Sequence, residues 1–222
     1  RGLYLRTFLC ELERIHSHLL WLGVLAKNMG FDTVFVYAWR DREIVLDVME
    51  ELSGGRISHA VNVIGGVRID LDAAHTRSIQ QRFDELERQV EKALALINNE
   101  PSLKARTQGV GLLSAEQVAR YCVVGPVARA SGVDVDLRRD FPRPPYDQLK
   151  FNVITHPAGD VWARTLVRVQ EIRESLSLCR QILAQLPDGP TSVAMKRRVP
   201  PGEVVSRSEA PRGEVIYYIR SD

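Results

Sequence analysis

Apolar residues return at steps of three and four along three long stretches of the chain, the period of a helix that buries one face. Leu5, Phe8, Leu9, Leu12, Ile15, Leu19 and Leu22 mark the first, a helix from about Leu3 to Met29 with Gly30 as its stop. Ile79, Phe83, Leu86, Val90, Leu94 and Ile97 mark the second, from about Thr76 to Asn99, closed by Glu100-Pro101. Val161, Leu166, Val169, Ile172, Leu176, Ile182 and Leu186 mark the third, which Asp160 can cap and which runs to Leu186. Between the first two, Asp32-Thr33 can cap one or two further helices that end at Gly54-Gly55. Ser114 and Gln117 have the spacing of a capping box, so a short helix is predicted up to Tyr121.

Elsewhere the period falls to two. Val61, Val63, Val67 and Ile69 alternate about Gly65-Gly66, and the runs Val204 to Ala210 and Val215 to Ile219 flank Pro211-Arg212-Gly213, which predicts two β-hairpins. The stretch from Gly125 to Pro145 is rich in Gly, Pro and Arg and reads as a structured surface loop. Its acids Asp134, Asp136 and Asp140 lack the glycine and terminal glutamate of an EF-hand, so calcium is excluded. The sum is one α+β domain over residues 1–222, predominantly α-helical: a bundle of long helices with small hairpins, the last packed near one end.

Composition narrows the chemistry. Hydrophobic residues make up 45% of the chain, enough for a real core, and 30 basic against 28 acidic side chains leave a formal charge of +2. That balance gives no field toward nucleic acid, so Lys196-Arg197-Arg198 and Arg138-Arg139 read as solvated loops. No apolar run approaches the roughly 20 residues that span a bilayer. Cys10, Cys122 and Cys179 are widely spaced, which argues for a reducing compartment and against a disulfide framework; without a Cys-x-x-Cys pair they form no metal clamp, and no metal ligand is expected in the chain. His16 and His18, two apart on a helix, diverge by about 200°, so at most one faces any site. His59, His75 and His156 read as hydrogen-bonding residues at element boundaries, and Asp160 and Arg164 as caps and braces of the last long helix. Glu11 and Glu13, with Arg14, read either as charges on a helix surface or as part of a proton route. Taken alone, these features give a helical domain and no reaction.

Five segments carry more: "YLRTFLCELERIHSHLLWLGVLAKNMGFDT", "ELSGGRISHAVNVIGGVRIDL", "VGPVARASGVDVDLRRDFPRPPYDQLKF", "GDVWARTLVRVQEIRESL" and "EAPRGEVIYYIRSD". In wording and order the sequence resembles the catalytic large subunit of energy-converting, membrane-associated nickel-iron hydrogenases and its relative, the quinone-site, D-type subunit of respiratory complex I. "HSHLLWLG" and the arginine of "EAPRG" favour the hydrogenase branch, since the complex I relatives usually carry lysine at that arginine. The resemblance implies the shared helical fold and an oxidoreductase that reduces protons or oxidises hydrogen. The alternatives are an NADH-quinone oxidoreductase subunit lining a quinone cavity, or a scaffold in either complex. It places Arg212 over the nickel-iron centre; Glu209, which adjoins that turn, joins it as a catalytic candidate in a supporting role, and Arg212, Pro211 and His18 are the residues expected to face the cofactor.

Further expectations follow from that resemblance. The nickel-iron centre is held by two Cys-x-x-Cys pairs, both expected outside Arg1 to Asp222, so the centre belongs to a full-length protein of which this is a central part, inactive in isolation. Iron-sulfur clusters lie in partner subunits. The partners implied are an iron-sulfur small subunit of the B type found in complex I, a protein of the C type and integral membrane subunits, which place the chain in the cytoplasm on the inner face of the prokaryotic plasma membrane. Asn28 stands where many relatives carry aspartate, which puts a carboxylate role there in doubt.

Overall fold

The computed structural model describes residues 1–195 and 199–222; Lys196, Arg197 and Arg198, and the solvated-loop reading made for them, lie outside the described residues. Four long helices form the body: α1 (Gly2–Asn28), α2 (Asp32–Ser53), α3 (Ala73–Asn99) and, late in the chain, α8 (Val161–Ala184). The stripe read from the sequence is what packs. Leu5, Phe8, Leu12 and Ile15 of α1 are fully buried in one core with Val45 and Val48 of α2, Ile79 and Leu86 of α3, and Leu176 and Ile182 of α8. α1 lies against both α2 and α8, and Phe8 meets Phe83 of α3 with ring centroids 6.2 Å apart. A buried side chain of this size contributes about 1.5–3 kcal/mol relative to exposure, so the stripe dominates the fold.

Helix ends follow local chemistry. Gly54 caps α2 with φ 76°, and Asp72 accepts bonds from the backbone N–H groups of Ala74 and His75 at the start of α3. The expected Asp32-Thr33 cap is not formed: Phe31 is the N-cap, without a side-chain bond, and Asp32 instead pairs with Lys27 at 2.6 Å. α2 is one helix rather than two. Glu100 closes α3 and caps α4 (Pro101–Thr107), while the Ser114–Gln117 capping box opens α5 (Ala115–Arg120).

The first hairpin is only β1 (Asn62–Val63) and β2 (Gly66–Val67). Residues 191–193 run alongside it, with Val67 N–H donating to the Thr191 carbonyl and Val193 N–H to that of Gly65. A Cβ on Gly66 would sit 2.2 Å from the Thr191 oxygen, so that approach requires glycine. The terminal hairpin pairs β3 (Gly202–Ala210) with β4 (Gly213–Ser221) in antiparallel register from Gly202↔Ser221 to Ala210↔Gly213. Its outer part exposes Val204, Val205, Ile216, Tyr217, Tyr218 and Ile219, whereas its tip docks on the body.

The stretch from 125 to 145 is not a surface loop. It forms α6 (Gly125–Arg129) and α7 (Leu137–Asp140), and Arg129, Asp136 and Arg138 within it are buried. Arg138, read with Arg139 as a solvated basic pair, is thus placed in the interior, while Arg139 stays outside with Asp134 and Asp140.

Candidate functional site: the arginine turn and its buried mount

Charged groups enclosed by a helical body are costly unless every one is paired and hydrogen-bonded. Glu11, Arg14 and His18 lie three and four residues apart on α1, so they share one face, and that face meets Glu171 and Ser175 of α8. Arg129 of α6 enters between them. Its Nε donates to Glu171 at 2.8 Å and its Nη1 to Glu209 of β3 at 2.8 Å. His18 Nε2 stands 2.7 Å from the other Glu171 oxygen. A continuous chain therefore runs from His18 through Glu171 and Arg129 to Glu209, two residues before Pro211.

Burial lowers the His18 imidazole to about 4, against the opposing pull of Glu171, so the ring is neutral at ordinary pH. Glu171 is held well below the carboxylate range: burial would raise it, but the bond from His18 and the Arg129 charge outweigh that. With the carboxylate ionised, Nε2 of His18 is the donor. Glu11 behaves alike. Its burial is outweighed by Arg138 and Arg14 and by bonds from Ser175 at 2.6 Å and Tyr146 at 2.5 Å, which hold it at about 2. The surface reading of Glu11 is corrected here, because it is fully buried; Glu13 is half exposed.

The network fixes the turn. Arg14 Nη2 donates to the Glu209 carbonyl at 2.7 Å and Nη1 to the Ala210 carbonyl at 3.1 Å. The Glu209 carboxylate also accepts from Leu137 N–H at 3.4 Å. Gly125 supplies the last support. Its backbone packs so closely on the tip that a Cβ there would lie 2.4 Å from Gly213 Cα and 2.5 Å from the Arg212 oxygen. Glu209 is thus a brace whose carboxylate points into the protein, while Arg212, at the tip, is exposed. Nearby Arg168 lies over the Trp21 ring at 3.9 Å. Burial lowers it to about 10, against Glu171, with Arg164, Arg129 and Arg212 adding to the effect.

Of the residues singled out from sequence, His18 and Glu209 join one hydrogen-bonded chain, and Pro211 lines a cavity of about 420 Å³ with Cys10, Glu13 and His59. Sequence reasoning missed Arg129, Asp136, Arg138 and Glu171. A signal existed for Glu11, Arg14 and His18, whose helical spacing runs beside the apolar stripe; the short helices α6 and α7 carry none. Among the described residues no group of three His, Cys, Asp or Glu is placed to hold a metal, and no helix is long and apolar enough to cross a membrane.

Against this geometry, known proteins give consistent matches. The family described as respiratory-chain NADH dehydrogenase, 49 Kd subunit, matches residues 28–198. The carbon monoxide-induced hydrogenase of Rhodospirillum rubrum is 40% identical over all of this chain and 62% of its own length. The D 2 subunit of the NADH-quinone oxidoreductase of Sinorhizobium medicae is 38% identical over the same shares. A chain of the membrane-bound sulfane sulfur reductase, an archaeal respiratory membrane complex, superposes over all of this chain and 62% of that one, with TM-score 0.94 and 29% identity. The chain therefore spans somewhat under two thirds of these relatives, with the same helical fold. It belongs to the 49 Kd subunit family of respiratory-chain NADH dehydrogenases, a family with hydrogenase relatives.

Proposed function

We propose that this chain is the helical core of the catalytic large subunit of a hydrogenase-type oxidoreductase, in which Arg212 is presented to the reacting centre. The observation that carries the reading is the mount: a turn held by Arg14, Glu209 and Gly125 leaves one guanidinium outward on a stiff tip. A fixed cation stabilises negative charge that develops beside it, without reorganising during the reaction. Electrons would pass through an iron-sulfur small subunit of the B type, with a C-type protein and integral membrane subunits anchoring the assembly to the membrane.

The described residues do not fit a nickel-iron ligand set. Cys10, Cys122 and Cys179 are free, and no histidine or acid joins them in a metal-holding group. Metal ligation is therefore not assigned to this chain, and its own contribution is the scaffold and the arginine. A quinone-reducing role is the second reading, favoured by the family match and by the D-type relatives.

In the assembled complex, Arg212→Lys should lower hydrogen evolution from reduced methyl viologen by about tenfold or more, because lysine keeps the charge but loses the planar fork. Thermal unfolding should be unchanged. Full turnover in the variant would reduce Arg212 to a turn residue, and an assembly that reduces a soluble quinone but evolves no hydrogen would establish the second reading.

A further inference from the structure

Beside the arginine turn, the cavity of about 420 Å³ has one polar wall and one apolar wall. Its size is in the range of small-molecule sites. Leu9, Met49, Val61 and Val215 make the apolar side, while Glu13 and His59 face it from α1 and from the loop after α2. His59 Nδ1 lies 2.8 Å from the Gly55 carbonyl. A carbonyl only accepts, so Nδ1 carries a proton and Nε2 is the nitrogen left to exchange one. That nitrogen stands 3.3 Å from Glu13 Oε1. The Glu13 side chain keeps 43% of its surface in water and His59 only 14%. Both side chains line the cavity, and Glu13 is the more hydrated of the two.

We propose that Glu13 and His59 form a proton port into the cavity beneath the Pro211 turn. A proton on His59 Nε2 passes to a basic oxygen or a reduced group held in the cavity, leaving a neutral imidazole that keeps its Nδ1 proton. Glu13 then takes one proton from water and returns it to Nε2, so each cycle moves one proton inward and no electrons. This inference rests on the oxidoreductase reading above, since a centre that reduces protons or a quinone consumes protons.

The surrounding groups leave the path to this pair. On α1, His16 lies 3.7 Å from Glu13, but burial, Arg42 and His59 lower it to about 4, so it stays neutral and does not compete. Burial, then Glu11, raise the Cys10 thiol, which therefore stays protonated. From α2, Arg42 faces the pair through His16, and Ser53 Oγ lies 3.3 Å from His59 Nδ1, on the side away from Glu13. From the hairpin, Glu209 is already held by Arg129, and Tyr217 stands on the cavity wall.

Nitrogen-15 NMR of the full chain should show His59 with Nδ1 protonated and Nε2 as the exchanging site, with exchange at Nε2 slowed in Glu13→Gln. In the assembled complex, Glu13→Gln and His59→Gln should each lower turnover by about tenfold or more and shift the pH–rate profile, the scale expected for a lost acid–base group. Glu13→Asp should recover part of the rate. A His59 that carries its proton on Nε2, or a Glu13→Gln complex with the parental pH profile, overturns the port. An assembly that turns over neither hydrogen nor quinone overturns the functional reading instead, whatever the NMR shows.

Discussion

His18 sits where most imidazoles would be pushed out, enclosed by α1 and α8 with an ionised carboxylate on one nitrogen. Its folded value of about 4 lies below the ordinary 6.5, so as pH falls through 6.5 an unfolded chain takes up a proton that the folded one refuses. Stability therefore declines from about pH 6.5 down to about 4, with His16 acting in the same direction. Glu11 extends the decline: its contribution is fully present above its ordinary 4.5 and is lost as pH falls to about 2. Urea denaturation at a series of pH values should show this slope, and His18→Gln should flatten its upper part. An unchanged slope between pH 6.5 and 4 in that variant would mean that His18 is not buried in its neutral form. None of this was legible from His18 alone, because the partner that makes the imidazole tolerable, Glu171, lies more than 150 residues away in the chain.

Among the elements, the long helices were legible to within a few residues because each carries a stripe several turns long, which dominates burial. α6 and α7 were not, since five and four residues hold no period to read. They nonetheless set the arginine turn, through Gly125 and through Leu137. Gly125→Ala places a methyl into the backbone of Arg212 and Gly213 and forces a side chain to φ 67°. Misfit of that kind costs about 1–3 kcal/mol. Amide exchange at Ala210 and Gly213, on either side of the turn, should rise by about tenfold or more, the lower end of that range, with protection in α1, α3 and α8 retained. Equal protection in the variant would show that the tip does not depend on its dock.

For the whole molecule, the charge balance argued against nucleic-acid binding and the lack of a Cys-x-x-Cys pair against an internal metal clamp, while wording rather than periodicity carried the family. Fold and family were readable; the reaction was not, because periodicity and spacing report elements and their packing and name no reacting group. The 222-residue chain, purified without an affinity tag, should contain no stoichiometric nickel or iron by elemental analysis, given free cysteines and no grouped ligands among the described residues. One tightly bound nickel per chain would contradict that.

Arg14 lies on the first helix, and the carbonyls that satisfy its fork belong to residues 209 and 210. A body packed on its apolar stripe without β3 leaves the Arg14 guanidinium facing a gap in place of those acceptors. The gap closes only when the terminal ribbon arrives, and the same bonds that close it set the outward arginine. Filling of that gap and presentation of Arg212 are therefore one event, so a chain that displays the arginine correctly is one in which β3 has docked on α1.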